Sequence, residues 1–187
     1  HMDMRRILLF IVTLFIVTLS ANAQHLKFLG IPMNTNITNF SAKLKSKGYT
    51  IAPKNKHTGP GLRIMEGRFF NQNAELWISY TPSTKMVYSV RVVFWSESKE
   101  VCKSFMEEIE TSISEKYICT YEEGKTKGGS DIDIFHINEM KGDEYVYIGD
   151  IYIGISDDTS YYGYNLNLTY EDRINRLKNE ESKSDDI

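Results

Sequence analysis

Apolar positions alternate along three runs in the middle of the chain. Residues 62–70, 74–81 and 86–94 each read as a β-strand, with turn formers at Asn71-Gln72-Asn73 and Pro82-Ser83-Thr84-Lys85 between them. Leu76, Ile78 and Tyr80 share one face of the second run. Met86, Tyr88, Val90, Val92 and Phe94 share one face of the third, with Ser89 and Arg91 opposite. A period of two with a single apolar face predicts an antiparallel sheet covered on one side. A helical period comes first: Ile37, Phe40 and Leu44 follow the N-cap candidates Asn34, Thr35 and Asn36, and Gly48 stands where a C′ glycine belongs. Residues 49–52 add a short strand before Pro53.

The same order then recurs. Ser96 or Ser98 caps a second helix whose apolar stripe is Cys102, Phe105, Ile109, Ile113 and Tyr117, with Lys103, Glu107, Glu110 and Glu115 opposite. Strand-like runs follow at 118–122, 131–138, 145–156 and 161–170, the first two separated by a glycine-rich turn at 124–130. The last two form a hairpin across 157–160. In its second arm Tyr162, Tyr164, Leu166, Leu168 and Tyr170 line one face. The pattern predicts an α+β fold, two helices packed on antiparallel sheet, over residues 24–178. It is compatible with two α-β-β-β-β halves (24–95 and 96–178) and with one undivided domain. From Asn179 to the end the chain is polar and charged, which predicts a disordered tail or a fraying helix end.

Residues 1–23 read as a secretory signal peptide. Arg5 and Arg6 precede an apolar run at 7–19, and Ala21-Asn22-Ala23 places small residues where a signal peptidase needs them. The run is shorter than the ~20 apolar residues that span a bilayer. The expectation is therefore an exported or periplasmic protein, cleaved before Gln24, with no stable membrane insertion afterwards. His1-Met2 ahead of Asp3-Met4 reads as a cloning remnant.

The 187 residues carry 22 basic and 25 acidic side chains, a net charge of −3, which speaks against a dedicated nucleic-acid binder. Two cysteines are too few for a disulfide scaffold or a structural zinc site. An intervening helix would hold Cys102 and Cys119 about 20–25 Å apart, far beyond the ~7 Å that a disulfide spans. Two unpaired, buried thiols are predicted. No nucleophile elbow, phosphate-binding loop, dinucleotide fingerprint or zinc-binding pattern occurs after residue 23, so no cofactor and no metal are expected. His57 falls in a loop. His136 shares a strand face with Ile132 and Ile134, while Asp131 and Asp133 occupy the alternate face; packing is its default role, and a small hydrolase using His136 with Asp131 or Asp133 is the enzymatic alternative.

Tyrosine is the unusual feature. Seven of the twelve lie between 145 and 170. Tyr161 and Tyr162 are adjacent and must point to opposite faces of a strand, and Tyr152 alternates with Ile151 and Ile153. Some of these rings should reach solvent near Asp157 and Asp158. Tyrosine beside carboxylates suits a protein or glycan partner. The candidate binding residues are therefore Tyr152, Tyr161, Tyr162, Asp157 and Asp158, on a non-enzymatic binding protein. An immunity or inhibitor protein that neutralises a toxin or enzyme in the periplasm is the alternative, its acidic balance meeting a basic target.

Three segments carry a family resemblance: Phe28-Leu29-Gly30-Ile31-Pro32-Met33, Val87-Tyr88-Ser89-Val90-Arg91-Val92 and Tyr170-Glu171-Asp172-Arg173-Ile174-Asn175. In these the chain resembles small signal-peptide-bearing proteins of Bacteroidetes. The resemblance implies a periplasmic or exported location and carries over no functional residue. The order of elements also resembles that of secreted beta-lactamase inhibitor proteins, tandem α+β binders whose multiple disulfides are absent here; this is a likeness of architecture alone.

Overall fold

Asn36 accepts the backbone N–H of Asn39 on its side chain at 3.0 Å and so starts helix α1, Ile37–Ser46. The helix stops at Lys47, and Gly48 follows with φ +92°, the left-handed conformation in which glycine escapes a side-chain clash. The computed structural model describes residues 24–53, 59–158 and 163–184. Ahead of α1 lies a small hairpin, β1 (Lys27–Phe28) and β2 (Ile31–Pro32); after it come β3 (Thr50–Ile51), β4 (Leu62–Phe69), β5 (Gln72–Tyr80) and β6 (Val87–Ser96). The second half opens with α2 (Lys99–Lys116), capped by Ser98. It continues with β7 (Ile118–Lys125), β8 (Asp131–Lys141), β9 (Glu144–Asp158) and β10 (Gly163–Asp172), and closes with α3 (Arg173–Ser184).

Strands β3 to β10 form one antiparallel sheet of eight strands in the order β3-β4-β5-β6-β10-β9-β8-β7. Each half contributes a helix and four sequential strands. The halves meet where their last strands pair, with Val92 opposite Leu168. The α+β expectation is met, and both helices read from the sequence pack on the sheet's apolar face together with β1–β2, in one continuous core. Aromatic rings tie the layers together. Phe28 stacks on Phe69 at 5.7 Å and meets Tyr170 edge-on at 5.2 Å, while Phe94 meets Phe105 of α2 edge-on at 4.9 Å. Such pairs add roughly 0.5–1.5 kcal/mol each beyond area burial. Gly67 is required by packing, since a Cβ there would sit 2.4 Å from the Tyr49 ring.

Two details of the element boundaries differ from the sequence reading. The β4–β5 turn is not Asn71-Gln72-Asn73 but Phe70-Asn71, because Gln72 already pairs with Phe69. Both turn residues have positive φ, 48° and 60°, as a two-residue turn matched to strand twist requires; Phe70 is held there between Phe69 and Phe105, at 5.1 and 6.2 Å. A third helix crosses residue 178, so that of the two expectations for the chain from Asn179, a disordered tail or a fraying helix end, residues 179–184 follow the second. Helix α3 runs to Ser184 and packs on β6, β9 and β10. It docks through polar side chains: Asp172, Asn175 and Asn179 are all buried. Asn175 Nδ2 donates to Met33 O at 2.7 Å and Val87 O at 3.1 Å, and its backbone N–H donates to Asp172 Oδ1 at 2.9 Å. Among the described residues no helix is long and apolar enough to cross a membrane. Cys102 and Cys119 are unpaired, the first buried and the second half-buried.

Candidate functional site

With α1, α2 and the β1–β2 hairpin on one face, the alternate side chains of β4, β5, β6, β8, β9 and β10 project from the other. That face is concave, a basin of about 1530 Å³. The register places its residues in rows across the strands. One row runs Ile64, Trp77, Arg91, Thr169, Tyr152, Ile134. The next runs Glu75, Val93, Asn167, Gly154, and beyond it Trp95 pairs with Asn165 and Asn165 with Ser156. Both tryptophans of the chain therefore lie on this face. Trp95 is 46% exposed. Trp77 is fixed by a hydrogen bond from Nε1 to Oε2 of the buried Glu75, at 2.9 Å.

Where the basin approaches α3, a polar network gathers. Asp150, almost wholly buried, accepts three side-chain hydrogen bonds: from His136 Nδ1 at 2.7 Å, Tyr147 Oη at 2.5 Å and Tyr152 Oη at 3.0 Å. Tyr152 Oη also reaches Glu171 at 3.4 Å, and Glu171 pairs with Arg176 Nη1 at 3.2 Å. His136 Nε2 stands 3.7 Å from the Glu122 carboxylate. Burial alone lowers the His136 pKa, but the Asp150 hydrogen bond and the charges of Asp150 and Glu122 outweigh it, so the imidazole is raised. Burial pushes the Glu171 carboxyl up, against the pull of Arg176. Burial also raises Tyr147 and Tyr152, reinforced by Asp150 and, for Tyr152, by Glu171, which keeps both phenols protonated and donating.

The residues singled out from the sequence divide. Tyr152 is on the concave face but half-buried, with its hydroxyl committed to carboxylates. Asp157 is exposed, yet five residues further along an unbroken register it belongs to the opposite face, so it does not join Tyr152. Asp158 pairs through its backbone with Gly163. Tyr161, Tyr162 and His57 lie outside the described residues. The His136 pairing with Asp131 or Asp133 is corrected. Asp133 projects to the helix side, where it accepts from Tyr121 Oη at 2.7 Å, and Asp131 binds Lys125; His136 turns to Asp150 on the other face. Sequence reasoning missed Trp77, Arg91 and Trp95. The signal was present in the positions alternating with the apolar face of β5 and β6, where both tryptophans fall. Among the described residues no cluster of three or more His, Cys, Asp or Glu side chains is placed to hold a metal ion.

No family model, no curated protein and no solved structure matches the chain.

Proposed function

We propose that this is an exported binding protein that holds a glycan on the concave face of its sheet. The observation that carries the reading is the placing of both tryptophans, one locked by a buried carboxylate, on the sheet face opposite α1 and α2. Indole and phenol rings offer flat apolar faces to the C–H faces of sugar rings, and the neighbouring amides and hydroxyls of Asn165, Asn167, Thr169 and Ser156 suit sugar hydroxyls. A locked Trp77 loses little freedom on binding. Of the two partner classes, this mixture favours the glycan over a protein, whose interface core would be less polar. Export rests on the apolar run at 7–19 and the Ala21-Asn22-Ala23 site.

Intrinsic fluorescence tests the reading directly, because the chain's only tryptophans report on this face. A panel of soluble neutral and acidic hexasaccharides is titrated into the protein. A saturable change in emission is expected for at least one, lost in Trp77→Ala and Trp95→Ala. Unchanged emission across the panel would sink the reading.

One observation favours a second reading. A buried carboxylate holds His136 by Nδ1 and leaves Nε2 turned toward the exposed Glu122 carboxylate at 3.7 Å, so the imidazole is oriented as a general base would be. Slow cleavage of a bound saccharide, abolished by His136→Gln with binding intact, would identify a hydrolase.

A further inference from the structure

Arg91 stands at the centre of the concave face. Trp77 flanks it across β5 and Thr169 across β10, and Tyr152 lies one strand beyond Thr169. Its side chain is exposed, and among the described residues it has neither an ion pair nor a hydrogen bond. The carboxylates in the rows beside Arg91 are engaged. Glu75 accepts from Trp77, Glu171 meets Arg176, Asp150 accepts three donors, and Glu66 also has a partner. Among the described residues Arg91 is thus the one basic side chain lining the basin, uncommitted and between two aromatic rings, while the exposed Glu97 stands at the rim, about 20 Å further along the strand direction. Trp77 and Tyr152 are three strands apart, about 14 Å at the usual spacing. That span suits several linked rings lying across the strands, with the guanidinium beneath the middle of the chain.

We infer that the concave face selects an acidic saccharide, a uronate-bearing oligosaccharide whose carboxylate seats on the Arg91 guanidinium while rings on either side rest against Trp77 and Tyr152. The planar fork of arginine matches the two oxygens of a carboxylate, and a uronate chain supplies that group together with a ring face at every unit. The inference rests on the reading of this face as a glycan site.

The full chain is titrated with hexagalacturonate, its fully methyl-esterified counterpart of equal length, and a glutamate-rich peptide, following tryptophan emission at low and high salt. Hexagalacturonate should bind about tenfold tighter than the neutral ester, with an advantage that shrinks in salt. Arg91→Met should remove that advantage, bringing acid and ester to within about twofold of each other; its melting temperature should match wild type, since Arg91 is exposed. Equal affinity for acid and ester overturns the inference and leaves the glycan reading standing. If no saccharide changes the emission, both fall. Tighter binding of the peptide than of hexagalacturonate overturns the inference in favour of an acidic protein partner.

Discussion

Glu75 and Trp77 are two residues apart on one strand and one face, joined by an indole N–H donated to a carboxylate that is 6% exposed. This bond sets the angle at which the ring faces the basin. In a Trp95→Phe background, where Trp77 is the only tryptophan, Glu75→Ala should free the indole, raise its quenching by acrylamide and shift its emission to the red. Glu75→Gln keeps an acceptor and should change both far less. The alanine variant should lose about 1–3 kcal/mol of stability with the charge-assisted bond.

Asn175 holds three parts of the chain together: its own helix, the β1–β2 segment through Met33 and the start of β6 through Val87. Asn175→Ala leaves two buried carbonyls without their donor. A loss of about 2–4 kcal/mol is expected, seen as a melting temperature lowered by roughly 5–15 °C. A variant melting within a degree of wild type would show that α3 is not docked as described.

On the helix side, Glu110 of α2 lies against Asp133 of β8. Burial first, then the Asp133 hydrogen bond and the charges of Asp133 and Glu107, push the Glu110 carboxyl up to about 7. The pair can share a hydrogen bond only while Glu110 carries the proton. Its contribution to stability is therefore fully present below the ordinary glutamate value near ~4.3 and lost as pH rises through about 7. Glu110→Gln should be close to wild type at low pH and more stable than wild type at pH ~8, measured by chemical denaturation across that range.

Two equivalents of a thiol reagent should react under denaturing, non-reducing conditions. In the native protein both thiols should react slowly, because burial raises both pKa values, and the half-buried Cys119 should react ahead of the buried Cys102. A zero count after denaturation would reveal a disulfide.

Much of the fold was legible because it follows from period and punctuation. Asn36, Gly48 and Ser98 mark helix ends by local chemistry, and alternation in β5 and β6 identifies the apolar face. Helix α3 was illegible for the opposite reason. Its buried positions are Asn175 and Asn179, and a stripe of asparagines has no hydrophobic period. The β4–β5 turn misled because Phe70 is a poor turn residue by propensity and is kept there by Phe69 and Phe105, neighbours from the packed core. The site depends on strand order. Arg91 and Tyr152 are 61 positions apart in the chain, and only the pairing of β6 with β10 puts them in one row. His136 could be recognised as facing away from Asp131 and Asp133, but its partner Asp150 comes from the adjacent strand β9, whose register local pattern does not fix.

A sheet that does not close on itself keeps two borders where backbone donors and acceptors face outward, each a template for another chain. Here the borders are unlike. Strand β3 is two residues long, pairs with Glu66 and Met65 of β4, and is followed closely by Pro53, which has no N–H to offer. Strand β7 is eight residues long and leaves Ile118 and Tyr121 exposed, but it also carries Glu122, Glu123 and Lys125. Two adjacent like charges meet the same two charges on any identical strand laid in parallel register beside them. The acidic pair on β7 thus opposes the pairing of two copies in that register, as charged side chains on border strands do.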